Sequence, residues 1–560
     1  MREKWFAAKT PGRLATGIFC DLYLGLYGNR CPLFRIMRYR TAMIRSFLTV
    51  SSGTLASRLL GFVRDSMIAA LLGATPIADA FLFAFQFVNV VRRSMSEGGL
   101  NAALIPAWLR IREAGGAAAA AAFAGRVLGT VSLVLMAMVA LIGLGLPPLV
   151  AALAPHLAGD PSVQFTIENT RLMLPYLAFA GPATVMMALL NAQDRFALTA
   201  FLPLLFNIAL IAVMIVLLVQ RQEAGLATRV LAATVGVAGL LQLAVVALRR
   251  GGDLATPVRA AFDAEMRGFF GKAVPGMIAS SAPQLLIVAG AIIASSSPSS
   301  VSWLYFANRL VELPLGIVGV AMGSVLIPQM TRALRGGDAI AVANAESRGL
   351  ELAAGLALPA TLGLILLGEP VVKMLFEHGA FTASDTAATA KTLMWLALSL
   401  PANVLVKALS PAFFAREDTL TPLIATLKGV MFALVLAILL GHWFGASGIA
   451  AAIALGAWST ALTLIRRGAE TFGFSIDAAA RRRLPRILAA ALAMGAGLWL
   501  ATRLVPALVQ GSHGLLQAAL LFILIIAGIT IYGLFLRLFG ITGWREAVNA
   551  LRQPSGDLHG

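Results

Sequence analysis

Three runs that are otherwise apolar carry nine ionisable residues between them. The stretch Ser57-Arg58-Leu59-Leu60-Gly61-Phe62-Val63-Arg64-Asp65 places two arginines and an aspartate in one such run. At about 100° per residue, Arg58 and Asp65 share a helical face and Arg64 lies on its shoulder. A second run carries Asp79, Arg92, Arg93 and Glu97, of which Asp79, Arg93 and Glu97 fall on one face. A third carries Arg309 and Glu312 one turn apart. Ionisable groups in such surroundings are costly unless they face a wet cavity or a partner. For Glu97 and Glu312 an internal ion pair, or a place near the membrane surface, reads as well as a functional role. Arg93 is weighed the same way, because Glu97 four residues on can neutralise it. For Arg58, Arg64, Arg92 and Arg309 the functional reading is the better one. A guanidinium stays charged when desolvated and presents a planar fork of donors that matches phosphate oxygens. Arginines from three runs, meeting in one place, would make an anion site.

Other chemistry has no visible basis. Gly268-Phe269-Phe270-Gly271-Lys272 lacks both the spacing of a phosphate-binding loop and the Ser or Thr after the lysine. There is no HExxH, paired-cysteine or nucleophile-elbow pattern. His156, His378, His442, His513 and His559 are scattered through connecting segments and the tail. No metal, cofactor or enzymatic activity is expected, and direct ATP hydrolysis least of all. The cysteines, Cys20 and Cys31, both lie near the N-terminus, so no disulfide framework runs through the body.

The elements that must position these charges follow from composition. Of 560 residues, 59% are hydrophobic and 12% charged, with a mean hydropathy of +0.85. A water-soluble chain carries about twice that charged fraction. Apolar stretches of roughly 18–25 residues recur throughout, enough to cross about 30 Å of hydrocarbon as helices. The short alternating segments of a β-barrel are missing. The expected fold class is therefore all-α and polytopic, with about fourteen transmembrane spans. The first covers 46–72, the second 77–105, the fourth 166–191, the seventh 273–295, the eighth 301–328 and the last two 485–506 and 514–538. Lys and Arg crowd the even-numbered connections and both tails, whereas the odd-numbered connections hold little beyond Arg221, Lys373 and Arg503. That asymmetry puts both termini in the cytoplasm. It also assigns the net charge of +18 to topology rather than to nucleic acid.

The chain repeats itself. Ala103-Leu104-Ile105-Pro106, Arg110 and Gly115-Gly116 are echoed by Val325-Leu326-Ile327-Pro328, Arg332 and Gly336-Gly337. Ala192-Gln193-Asp194-Arg195 is echoed by Ala415-Arg416-Glu417-Asp418. An even number of spans per repeat predicts two parallel lobes about an axis normal to the membrane. The expected units are a basic N-terminal extension (1–42), two six-helix lobes (43–250 and 251–470), a two-helix addition (471–540) and a tail (541–560). The extension reads either as a cytoplasmic tail or as sequence upstream of a natural start at Met43.

At this point a resemblance adds to the reading. The span-one stretch Ser57 to Asp65 resembles the first-helix signature of the MurJ (MviN) family of lipid II flippases. Asp79-Ala80-Phe81, continuing through Asn89-Val90-Val91-Arg92-Arg93 to Glu97-Gly98, resembles its second helix. Val301-Ser302-Trp303-Leu304-Tyr305, continuing through Arg309 and Glu312 to Pro314, resembles its eighth. Lys407-Ala408-Leu409-Ser410-Pro411 with Asp418-Thr419-Leu420-Thr421-Pro422 is a fourth match, and the likeness covers about residues 43–540. It implies the fold of the multidrug/oligosaccharidyl-lipid/polysaccharide exporter superfamily, with the last two spans forming an apolar groove for a polyprenyl tail. It also implies that Arg58, Arg64, Arg92 and Arg309 contact a substrate diphosphate. Asp65 would hold the arginines apart, and Asp79 would support gating. One departure is Asn308, where the family often has an aspartate. The implied function is flipping an undecaprenyl-diphosphate-linked peptidoglycan precursor, lipid II, to the periplasmic leaflet of a bacterial inner membrane by alternating access. Implied partners are lipid II, bilayer lipids and the cell-wall synthesis machinery; a monomer is expected, and no nucleic acid. A drug exporter, or an exporter of another polyprenyl-linked saccharide, in the same superfamily is the alternative. A membrane scaffold without transport would leave the arginines unexplained. Sodium coupling has one isolated candidate, Asp418.

Overall fold

The computed structural model describes residues 52–541 except 54, 96–99, 154–160, 194, 249–254, 322–338, 415, 417, 474–476 and 505–513. The N-terminal extension, Glu97, the tail and the second copy of the Leu-Ile-Pro echo therefore lie outside the described residues. Within them the chain is all helix, with no strand. In the first half, α1 covers 55–72, followed by α2 (Pro76–Ser94), α3 (Leu100–Leu153), α4 (Pro161–Met173), α5 (Pro175–Ala192), α6 (Phe196–Val219) and α7 (Ala224–Leu248). The second half comprises α8 (Ala264–Ser280), α9 (Ala282–Ala294), α10 (Ser300–Ala321), α11 (Ala339–Phe376), α12 (Ala383–Ala397), α13 (Ser399–Phe414) and α14 (Leu420–Phe472). The last pair is α15 (Ala478–Leu504) and α16 (Leu515–Leu538).

Among the described residues, eight helices are long and apolar enough to cross a membrane, or ten if each bent pair is one crossing. Several expected spans are not single rods. The fourth is α4 and α5, parted at Leu174 ahead of Pro175, whose ring cannot continue the hydrogen-bond ladder. The tenth is α12 and α13, bent by 41° at Leu398, about one repeat period later. Conversely, α14 holds two expected spans, folded back at Gly445, whose φ of 57° and ψ of −141° suit only glycine. Its two arms pack through small residues: a side chain at Gly429 would run into the Thr460 hydroxyl of the other arm. Without a hydrophobic drive between helices in lipid, such close backbone approach is what joins them. Large apolar side chains such as Leu141, Leu144, Trp443 and Ile529 point outward, as lipid-facing surface requires.

Two local features position the site. At the head of α2, Thr75 caps the helix by accepting the Ala78 N–H at 3.2 Å, and Pro76 takes the first turn. Between the halves, residues 255–263 lie along α3 as a strap. There, side chains at Gly125 and Gly129 would meet the strap backbone at Pro257 and Arg259. Thr130 both donates to the Ala261 carbonyl and accepts its N–H, each at 3.0 Å. Arg126 reaches Asp263 at 2.9 Å and Glu265 at 2.7 Å. The N–H of Met266, donated to Asp263 at 2.9 Å, holds that exposed carboxyl below the usual carboxylate range. The start of the second expected lobe is thus packed onto the first.

Candidate functional site

The two halves enclose a cavity of about 540 Å³ lined by α1, α2, α5, α6, α7, α9, α10 and α13. Every cation that the sequence singles out faces it: Arg58, Arg64, Arg92, Arg93 and Arg309, joined by Lys407. Glu312 lines it too. Asp65 stands fully buried behind the wall.

Asp65 is the hub. Its Oδ1 accepts from Arg64 Nε at 2.9 Å, Arg64 Nη2 at 2.7 Å and the Tyr305 hydroxyl at 3.0 Å. Its Oδ2 accepts from Arg309 Nε, so each arginine has its own carboxylate oxygen. The third nitrogen of Arg64, Nη1, donates to Asn207 Oδ1 at 3.0 Å, and Asn207 in turn donates to the Ser57 carbonyl. The Arg64 guanidinium also lies 5.0 Å from the Phe85 ring centre and 5.7 Å from that of Phe206. Cation–π contacts of this kind compensate part of the water that the charge has lost.

A second ion pair joins the halves. Glu312 takes Arg93 bidentately, at 2.6 and 2.9 Å, and also Arg309 Nη1 at 2.6 Å. Asn308, the residue that departs from the family pattern, donates to Glu312 at 3.1 Å. The expected Arg93–Glu97 pair lies outside the described residues; the partner seen here comes from 219 positions away. Arg58 and Arg92 differ from the others, since neither has a carboxylate partner among the described residues. Among the described residues Arg92 donates to Asn89, at 3.3 Å. The guanidinium of Arg58 lies against Gly316 of α10, filling the space a side chain there would need.

The cavity is closed at one end. Beyond Asp65, Ser66 donates to the Leu375 carbonyl at 2.5 Å and Ala380 N–H to the Ala70 carbonyl at 2.9 Å. Ser299 donates to the Ala74 carbonyl at 2.6 Å. Asp79 accepts both the N–H and the hydroxyl of Ser302, at 2.8 and 2.5 Å. Trp303 then reaches Asp385, which is already held in the Thr382 capping box. Each bond except the last two joins the first half to the second. At 1.5 Å per residue, Asp79 in this seam is about 21 Å along α2 from Arg93. The cations therefore occupy a vestibule on one side of the seam, within a bilayer core about 30 Å thick.

Sequence reasoning missed Asn207 as a partner, since it carries no signal against a background of apolar helix, and gave no role to Ser302 and Tyr305 although both stand in a matching motif. Lys407 stands in a matching motif but was not singled out as a charge within a span. A buried diphosphate would find here forked donors and, among the described lining residues, one carboxylate, Glu312. The family model described as "Lipid II flippase MurJ" matches residues 68–518.

The chain belongs to that family.

Among the MurJ relatives, the probable lipid II flippase of Rhizobium meliloti (strain 1021) is 37% identical over 468 residues, spanning 82% of this chain and 87% of that one. That of Rhizobium tropici is 34% identical over 507 residues, 89% and 95% of the two chains. A solved MurJ structure in an inward closed conformation superimposes with a TM-score of 0.72 at 22% identity, covering 90% of this chain and all of the other. A multidrug transporter of the MATE family, solved inward-facing, matches with a TM-score of 0.59 at 14% identity, over 79% and 98%. At those identities the two structures speak for the shared fold.

Proposed function

We propose that this protein carries lipid II, a polyprenyl diphosphate bearing a saccharide-peptide headgroup, from the cytoplasmic to the outer leaflet of a bacterial inner membrane. One observation carries the reading: six cationic side chains converge on a cavity inside the bilayer with Glu312 as its lining carboxylate. Arg58 and Arg92, with no carboxylate partner among the described residues, make first contact with the dianionic diphosphate. Arg64 and Arg309 then exchange part of their bonding to Asp65 and Glu312 for phosphate oxygens. With both termini cytoplasmic, as the Lys/Arg pattern predicts, the vestibule opens to the cytoplasm and the seam faces the periplasm.

Taking Arg93 and Arg309 from Glu312 weakens the bond between the halves, so ligand binding itself favours rearrangement. The halves then rock about the site, and the Asp79–Ser302 seam parts to release the headgroup outward. Asp65 and Glu312 support the site, Asp79 gates it, and Arg93 and Glu97 balance the charge of the second expected span (77–105). The polyprenyl tail stays in lipid, along the outward apolar faces of α15 and α16, where Leu500, Phe522 and Ile529 are exposed. Outward movement of negative charge is aided by an interior-negative potential, about 2.3 kcal/mol per charge per 100 mV. The chain acts as a monomeric transporter with no cofactor, delivering its cargo to cell-wall synthesis.

The test is depletion of the chromosomal copy followed by rescue with Arg58→Ala, Arg64→Ala or Arg309→Ala. The expected result is loss of lipid II exposure at the outer face with normal protein levels in the membrane. Full rescue by all three would refute the assigned site.

A further inference from the structure

The cations explain one side of the cavity; another part of its wall is neutral and hydrogen-bonding. Gln86, on α2 one turn before Asn89 and Val90, lines the cavity yet is only 7% exposed. Neither its Oε1 nor its Nε2 has a partner. Gln284 of α9 lines the same cavity from the other half, and its Oε1 is likewise shielded and unpartnered. The contrast is Gln242, a third glutamine lining the cavity. It accepts from the Tyr176 hydroxyl at 3.2 Å and donates to the Leu202 carbonyl at 3.3 Å. A buried polar group left unbonded costs about 1–3 kcal/mol, and native interiors keep few of them. Two carboxamides in that state, one from each half and lining one cavity, point to a group that arrives with the ligand.

The residue type narrows which group. A carboxamide offers two donors and an acceptor, but no charge. Beside five arginines it adds little for phosphate, and it lacks the charge to hold a cation. It suits a neutral group presenting a donor and an acceptor close together, such as the acetamido and hydroxyl substituents of an amino sugar. Its surroundings fit the same class. Tyr176 and Phe206 line the same cavity, their rings meeting edge-on at 5.4 Å. Such aromatic faces suit the apolar face of a pyranose. The order along α2, with Gln86 two turns from Arg92 and Arg93, puts the neutral wall about 9–10 Å from those cations.

We propose that Gln86 and Gln284 form a saccharide subsite that binds an acetamido sugar attached to the diphosphate. This rests on the flippase reading above and adds the part of the site that tells one polyprenyl diphosphate from another. The experiment measures equilibrium binding to purified protein in lipid nanodiscs of three ligands: undecaprenyl diphosphate, the same lipid bearing a single N-acetylglucosamine, and lipid II. The variants are Gln86→Met, which keeps the shape and removes the amide, Gln86→Glu, which keeps only acceptors, and Gln284→Met.

Gln86→Met and Gln284→Met are expected to weaken both sugar-bearing ligands about five- to thirtyfold, the loss of one or two hydrogen bonds. Binding of undecaprenyl diphosphate should be unchanged, which also shows that each variant is folded. Gln86→Glu should weaken all three ligands through its charge. Equal losses for bare and sugar-bearing lipids in the Met variants, or no loss for either, would overturn the subsite. A loss confined to lipid II would assign these amides to a part of the headgroup beyond a single acetamido sugar and overturn the subsite as proposed. Wild-type protein that binds the bare and sugar-bearing lipids equally would overturn the subsite but leave the diphosphate reading standing. Wild-type protein that binds none of the three would end both.

Discussion

Replacing Glu312 by Gln separates two roles that this carboxylate plays. Glu312 ties Arg93 to Arg309 across the halves, and it competes with any anion for the same guanidiniums. Gln keeps the shape and one carbonyl oxygen but removes the charge. With side chains about one-fifth exposed, the Arg93–Glu312 pair lies between a surface pair and a buried one. Its loss should cost about 1–3 kcal/mol of stability, between the limits of about 1 for exposed pairs and 3–5 for broken buried pairs. The effect on ligand has the opposite sign. A carboxylate roughly 6 Å from a phosphate repels it by about 3 kcal/mol at an effective dielectric of about 20. Partial exposure and solvent screening reduce that to about half, or roughly tenfold in affinity. Glu312→Gln should therefore unfold at lower temperature when empty, yet bind undecaprenyl diphosphate about three- to tenfold more tightly. Thermal unfolding and ligand titration on the same nanodisc preparation would measure both. If the variant binds the diphosphate more weakly than wild type, Glu312 is part of the binding surface and the competition argument is wrong.

Two other changes follow from the geometry. Gly316→Val puts a side chain where the Arg58 guanidinium rests, so it should lower diphosphate affinity about as much as Arg58→Ala, with the two changes non-additive in a double-mutant cycle. Thr130→Val combined with Arg126→Ala removes the hydroxyl bonds and ion pairs that seat the strap, and limited proteolysis should then cut within 255–263 several times faster while the rest of the chain stays protected.

The arginines were legible in the sequence because the cost of a charge in hydrocarbon makes each one conspicuous without any alignment. Arg58, Arg64, Arg92 and Arg309 were read from that alone, and all four reach one cavity. Their partners were not legible. Helical periodicity reports neighbours three and four positions away, whereas Arg309 finds Asp65 244 residues distant and Arg93 finds Glu312 219 residues distant. Neutral residues were hidden for a different reason: Gln86 and Asn207 cost little enough in an apolar helix to look like ordinary sequence. The repeat was visible as echoed motifs, and the recurring breaks at Leu174 and Leu398 give it a structural counterpart. The breaks themselves were read through, since hydropathy is blind to a bend that leaves both arms apolar. The strap was read as a connection because nothing in 255–263 announces that Gly125 and Gly129 make room for it.

Asp65 and Glu312 have a consequence for the cell that is separate from cargo. A water-filled vestibule lined by bare arginines would be the beginning of a chloride channel. In this protein, Arg64, Arg93 and Arg309 carry their counter-charges with them, held by multiple hydrogen bonds. A monatomic anion, with no second oxygen to match the guanidinium fork, is a poor substitute for those carboxylates. An empty protein should thus remain an electrical insulator, and the ion gradients that power other machines in the same bilayer should not drain through it.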